Sequence, residues 1–120
     1  MTQKRWKTKI KKACQQADTY LPIFDSVIDT LASILARRDE AIELFEKSGG
    51  QIIVKHTNKA GAANIEQNPI LRLINDLNRD ALTYWRDLGL TPAGLKKINE
   101  SALKGQKMDA LSAALKELGG

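Results

Sequence analysis

Cysteine and histidine each occur once in the 120 residues, as Cys14 and His56. A single cysteine excludes an internal disulfide, and one of each excludes a Cys/His metal cluster. Such usage fits a reducing cytoplasm. Aromatic residues make up 5% of the chain against 42% hydrophobic residues overall. Any core is therefore aliphatic, which suits helix packed on helix. No apolar run approaches the roughly 20 residues that span a bilayer. The basic start is not followed by the apolar stretch of a secretory signal. There is no Gly-rich phosphate loop, no paired histidine and no Ser/His/Asp set in a catalytic arrangement. The expectation is a soluble cytoplasmic chain that is not an enzyme, holds no cofactor or metal and engages no membrane.

Acidic residues are missing from one region in particular. The net charge is +5, and six of the 19 basic residues, Lys4, Arg5, Lys7, Lys9, Lys11 and Lys12, lie in the first 12 positions, where none of the 14 acids falls. The rest of the chain is close to neutral. Six like charges in nine positions are costly to hold together without a polyanion, DNA or RNA ahead of an anionic membrane, so these six are the candidate phosphate contacts, with binding that weakens as salt rises. Residues 2–17 fit a helix, with Trp6, Ile10, Ala13 and Ala17 on one face. The alternative is a solvated basic helix docked by Trp6 and Ile10.

The most informative stretch is 68–98. Asn68-Pro69 reads as an N-cap followed by proline at the first helical position. Ile70, Ile74, Leu77, Ala81, Tyr84 and Leu88 then recur in steps of four and three, one stripe of a helix. Gly89 suits the left-handed position after a helix, with Leu90 packing back. Thr91-Pro92 repeats the start signal. Upstream, Asp18 or Thr19 is a candidate cap near Pro22. A second seam follows, through Phe24, Ile28, Leu31, Leu35, Arg38, Ile42 and Phe45, and ends at Ser48-Gly49-Gly50. Two such seams imply an antiparallel αα-hairpin. The connection is too long for a plain loop. Residues 51–55 suit a strand, residues 58–61 a turn with His56 at the tip as an exposed loop residue, and 62–66 a return strand. That β-hairpin either packs on the helices or adds to those of neighbouring copies.

The expected fold is mainly α: a long antiparallel helix hairpin, a small β-hairpin at its connection and short flanking helices. Residues 1–17 form a basic helical arm. Residues 18–104 form a helical oligomerisation core, with helices over about 20–48, 69–88 and 92–104 and a β-hairpin over about 51–65. Residues 105–120 form an amphipathic tail. Leu71, Leu82 and Trp85 lie off the main stripe, so their helix wants a second partner. That partner is a flanking helix or another subunit, and self-association is preferred. Arg38 breaks an apolar seam, either snorkelling at its edge or pairing across a subunit boundary. Lys96 and Lys97 face away from the inward Leu95, Ile98 and Ala102, and join the candidate DNA contacts. Met108, Leu111, Leu115 and Leu118 make a last stripe, which docks on its own body or anchors a partner.

Residues 84–98 can also be read as a helix-turn-helix, because Tyr84, Leu88, Gly89, Leu90, Leu95 and Ile98 occupy suitable positions. Trp85 then falls where the two helices cross closely and a small residue is wanted. Lys96 and Lys97 offer little base readout. A transcription regulator built on that motif is the alternative reading.

The segment QNPILRLINDLNRDALTYWRDLGLTPAGLKKI, with Leu-Gly-Leu-Thr-Pro after a long helix, resembles the phage terminase small subunits. The resemblance extends back through the helix over 21–45, through Gly49-Gly50 and Lys55, and through Asn58-Lys59-Ala60-Gly61. It implies a non-catalytic subunit that forms a ring, binds double-stranded viral DNA near the packaging start and regulates a separate large subunit with ATPase and nuclease activity. On that reading residues 1–12 meet DNA and Arg38, Leu71, Leu82 and Trp85 belong to the oligomer interface. Met108, Leu111, Leu115 and Leu118 meet the large subunit.

Overall fold

In a computed structural model the chain forms α1 (Gln3–Gln16), a 3-10 turn (Pro22–Phe24), α2 (Asp25–Lys47), β1 (Ile53–Thr57), β2 (Ala63–Gln67), α3 (Pro69–Asp87) and α4 (Pro92–Gly119). The structure describes the backbone of every residue except Ala62 and Gly120; it describes all other side chains except those of residues 63, 103–110, 118 and 119. The architecture is mainly helical, with a two-stranded antiparallel hairpin between α2 and α3.

The centre of the molecule is α2. Its buried residues, Ile28, Leu31, Ala32, Ile34, Leu35 and Ala41, span too wide an arc for one neighbour. Two helices cover it. From α3 come Ile74, Leu77 and Ala81, followed by Leu88; from α1 come Trp6, Ile10 and Cys14. A single groove brings Arg37, Ala41 and Leu44 of α2 beside Leu77, Leu73 and Ile70 of α3. The end of α2 and the start of α3 lie together, with Asn68 holding the Gln51 carbonyl, and farther back along α2 Arg38 reaches Asn78 farther along α3, so the two helices run antiparallel. The expected seam on α2 is buried at Ile28, Leu31 and Leu35 and half-buried at Phe24, Arg38, Ile42 and Phe45. On α1 the buried line is Trp6, Ile10 and Cys14, in steps of four, rather than one passing through Ala13 and Ala17. Burial pushes the Cys14 thiol up, with a hydrogen bond from Thr19 pulling weakly against it, so the group packs as a small apolar side chain.

One device ends all three of the first helices. The chain turns left-handed at Asp18 (φ 58°), Gly49 (φ 104°) and Gly89 (φ 73°). The two following amides then close back on the last turn: Asp18 and Thr19 on Gln15 and Cys14, Gly49 and Gly50 on Glu46 and Phe45, Gly89 and Leu90 on Arg86 and Trp85. This is the Schellman arrangement, which satisfies carbonyls a helix end leaves orphaned. Asp18 therefore closes α1 instead of opening α2. The α2 helix begins at Asp25 behind the Pro22–Phe24 turn, without a side-chain cap.

At the start of α3, Asn68 is 5% exposed, the one buried polar residue of the described core. Its Oδ1 accepts from the Ile70 amide at 3.0 Å, its Nδ2 donates to the Gln51 carbonyl at 2.9 Å and its own amide donates to the Ile52 carbonyl at 2.8 Å. One side chain thus caps α3 and ties the base of the β-hairpin. The strands pair from Ile53 with Gln67 to Thr57 with Ala63, two residues later than the sequence pattern placed the first strand. His56 accordingly lies within β1, opposite Asn64, and not at the tip. The largest structural difference is at the C-terminal end. The helix expected to end near 104 does not end there, and α4 runs as one helix through Gly105 to Gly119.

A polar clasp holds α1 down. The Trp6 Nε1–H donates to Asp39 Oδ2 at 2.7 Å, the Met1 amino group to the same oxygen at 3.1 Å, and Arg38 Nη2 to Asp39 Oδ1 at 3.2 Å. The Arg38 guanidinium lies 5.5 Å from the Trp6 ring centroid. Burial pushes the Asp39 carboxyl up, but the hydrogen bonds from Trp6, the Met1 amino group and Arg38 outweigh it and hold its pKa below the ordinary value.

Two outcomes follow from this packing. Because the folded pKa of Asp39 is depressed, its contribution is present above the unfolded value near 3.9 and is lost as pH falls through the folded value. Asp39→Asn should cost about 1–3 kcal/mol at neutral pH, and the gap in melting temperature between variant and parent should close below about pH 4. Gly94 stands against the Arg86 carbonyl, where a Cβ would overlap the backbone. Gly94→Ala, which favours an isolated helix, should therefore lower thermal stability here, by about 1–3 kcal/mol.

Candidate nucleic-acid and assembly surfaces

Docking by Trp6, Ile10 and Cys14 decides where the six early cations point. Lys4, Arg5, Lys9 and Lys12 are exposed, and Lys7 and Lys11 sit half-buried on the flanks. The flanking pair has internal work. Lys7 Nζ is 3.8 Å from Asp29 Oδ1, and Lys11 Nζ lies 5.0 Å from the Tyr20 ring centroid. A hydrogen bond with Tyr20, then the charges of Tyr20 and Asp25, raise the Lys11 pKa. Lys9 Nζ lies 5.1 Å from the Trp6 centroid while still facing solvent. Lys4, Arg5 and Lys12 make no ion pair among the described residues. With Thr8 between them, they line one outward strip of α1. The helix carries no acidic residue along its length. Its outward face can thus offer three or four cations to a polyanion without first breaking internal pairs.

Arg38 sits where α1, α2 and α3 meet. Besides Asp39 and the Trp6 ring, it reaches Asn78 of α3, with Nη1 3.4 Å from Asn78 Oδ1. Its Nε is buried without an acceptor among the described residues. Of the other residues assigned to assembly, Leu82 is half exposed, Leu71 is half-buried and Trp85 is half-buried against the core. A second apolar surface lies on the other side of α3. There Leu44 and Leu73 stand half exposed in a groove floored by Ala41, Ile70 and Leu77 and edged by Arg37 and Glu40. At about 100° per residue, Leu71 and Leu82 point roughly 160–180° round α3 from Leu73. The hairpin therefore shows apolar side chains on two opposite flanks.

At the α3–α4 corner, residues 88–91 make the turn and Thr91 Oγ1 accepts from the Gly94 amide at 3.0 Å. The close approach falls between Gly94 and Arg86, and a Cβ on Gly89 would meet Thr19 and Ile98. The small residue at the crossing is thus Gly94 of α4, set against the Arg86 carbonyl, and not a residue in place of Trp85. Lys96 and Lys97 are both exposed. Lys96 Nζ is 4.0 Å from Glu100 Oε1, and Lys97 lines a groove with Arg86 and Ser101. Farther along α4, Leu111 and Leu115 are exposed at 61% and 60%. The side chains of Met108 and Leu118 lie outside the described residues. Among the described residues no group of His, Cys, Asp and Glu could hold a metal ion, and no helix is long and apolar enough to cross a membrane.

Two features escaped the reading of the sequence. Nothing in the charge pattern singles out Asp39; the signal available was Trp6, whose indole N–H needs an acceptor once its ring is buried. The groove at Leu44 and Leu73 was missed because neither residue lies on a main seam.

A family model described as phage terminase, small subunit, matches residues 2–104. The match begins at the cap of α1 and extends into α4, so it includes the basic face, the helix hairpin, the β-hairpin and the corner. No curated protein and no solved structure gave a match. The family is a non-catalytic component of phage DNA packaging, with DNA and the large terminase subunit as its partners in general. The chain belongs to the phage terminase small subunit family.

Proposed function

We propose that this protein is the ring-forming subunit that recognises viral DNA in the host bacterial cytoplasm and brings the large ATPase- and nuclease-bearing subunit to it. The observation that carries the proposal is the acid-free outward face of α1. Lys4, Arg5, Lys9 and Lys12 stand there in solvent on a helix pinned to the core. Lys7 and Lys11 flank that face, and Lys96 and Lys97 are further candidate contacts at the α3–α4 corner. A rigid helix holds its cations in register without a backbone ordering cost at binding.

Assembly is supported by the two apolar flanks of the hairpin. A contact that joins two different patches is heterologous, and where its rotation closes it generates a ring. In this reading Leu71, Leu82 and the edge of Trp85 meet the groove at Leu44 and Leu73 of the next copy, and Arg38 braces the interface from within. The stripe of Met108, Leu111, Leu115 and Leu118 is the anchor for the large subunit, supported by the exposure of Leu111 and Leu115.

Deleting the first residues would remove Trp6 and Ile10 from the core, so substitution is the sound test of the DNA face. The variant Lys4→Gln/Arg5→Gln/Lys12→Gln should keep its fold by circular dichroism and flatten the salt dependence of duplex binding, log K against log salt, by about three. An unchanged slope refutes the assignment to α1. Separately, light scattering of the parent should give a closed oligomer larger than a dimer, and Leu82→Glu should lower that mass. A monomer or dimer at every working concentration rules out the ring.

A further inference from the structure

The basic residues of α3 are gathered on one line. Arg72, Asn75, Arg79, Thr83 and Arg86 follow each other in steps of three and four and are all exposed. They fall on a single outward stripe about 80° wide, roughly opposite the buried Ile74, Leu77 and Ala81. The acids of the helix, Asp76, Asp80 and Asp87, lie to one side of this stripe, and Leu71 and Leu82 lie to the other. Arg79 Nη2 is 3.0 Å from Asp76 Oδ1. Arg72 and Arg86 make no ion pair among the described residues. At the α3–α4 corner Arg86 shares a groove with Lys97 and Ser101, which carries the cationic line onto α4.

We infer that this stripe is a second track for the phosphate backbone of double-stranded DNA, separate from α1. From Arg72 to Arg86 is about 21 Å at 1.5 Å per residue. At 3.4 Å of axis per phosphate on one strand, that length faces about six base pairs. The three arginines are spaced about 10 Å along the helix axis, enough for each to reach a different phosphate. Arginine suits the task, because its fork of donors matches phosphate oxygens. The other stripe members, Asn75 and Thr83, also hydrogen-bond phosphate readily. A second copy of this chain, offering Glu40 and Glu43, is the competing partner. The stripe fits it less well, since it has no large apolar residue to form the dry centre of a protein interface. The inference takes the identity of its ligand from the DNA reading above, but not the role of α1.

The test is Arg72→Gln/Arg79→Gln/Arg86→Gln in the full chain, with Arg→Lys at the same three positions as the charge-conserving control. Binding to a random-sequence duplex is followed by fluorescence anisotropy across a salt series, and assembled mass by light scattering. The Gln variant should bind ~10-fold or more weakly at 0.1 M salt, flatten the slope by about three and keep the parent mass, while the Lys variant keeps the slope. An unchanged slope, or a fall in assembled mass that accounts for the lost binding, overturns the inference. Comparison with the α1 variant keeps the two readings apart. Loss in the stripe variant alone sinks the α1 assignment and leaves the stripe. Loss in the α1 variant alone does the reverse.

Discussion

Everything in this molecule depends on α2 being buried from two sides. Ile28, Leu31 and Leu35 have no solvent exposure, and neither α1 nor α3 could achieve that alone. The consequence for α1 is large. A 14-residue helix with four exposed cations and no acid is marginal in isolation and repels itself. Burial of Trp6, Ile10 and Cys14, with Asp39 receiving three hydrogen bonds beside them, offsets that repulsion. The basic segment is therefore a third helix of the core, and its charge is presented on a fixed surface.

That arrangement links the surfaces to one another. Arg38 touches α1 through the Trp6 ring, α2 through Asp39 and α3 through Asn78. The C-terminal end of α1 reaches the α3–α4 corner, where Thr19 closes over Gly89. The proposed DNA face of α1, the apolar flanks of α3 and the direction of α4 are thus set by side chains that meet in one small core. A shift of α1 on α2 would be felt at both ends of α3. This continuity gives a physical route by which DNA binding in this family could bear on assembly.

Much of the fold was legible because it is written in periodicity. The seams through Ile28, Leu31 and Leu35 and through Ile74, Leu77 and Ala81 have the spacing of buried helical stripes, and Asn68-Pro69 and Gly89 mark ends by local chemistry. What was not legible depends on contacts distant in sequence. The role of Asp39 arises only when Trp6 comes to rest beside it, 33 positions away. Asp18 reads as a helix opener because aspartate favours that position, yet it adopts the left-handed turn that closes α1. The steric need for Gly94 cannot be seen until α4 lies against the Arg86 carbonyl. Continuity through Gly105 went unread because glycine weakens a helix without forbidding it. For the candidate surfaces, the sequence identified which cations were concentrated, but only docking of α1 separated Lys4, Arg5, Lys9 and Lys12 from the internally engaged Lys7 and Lys11.

The central claim is that α1 is held as part of the core. Native-state hydrogen exchange on the full chain, read amide by amide without DNA, tests it most directly. The account predicts that the amides of Ile10, Ala13 and Cys14 are protected to nearly the same extent as those of Leu31 and Leu35 in α2. Amides of α1 that exchange at the rate of an unstructured peptide, while α2 and α3 remain protected, would contradict it.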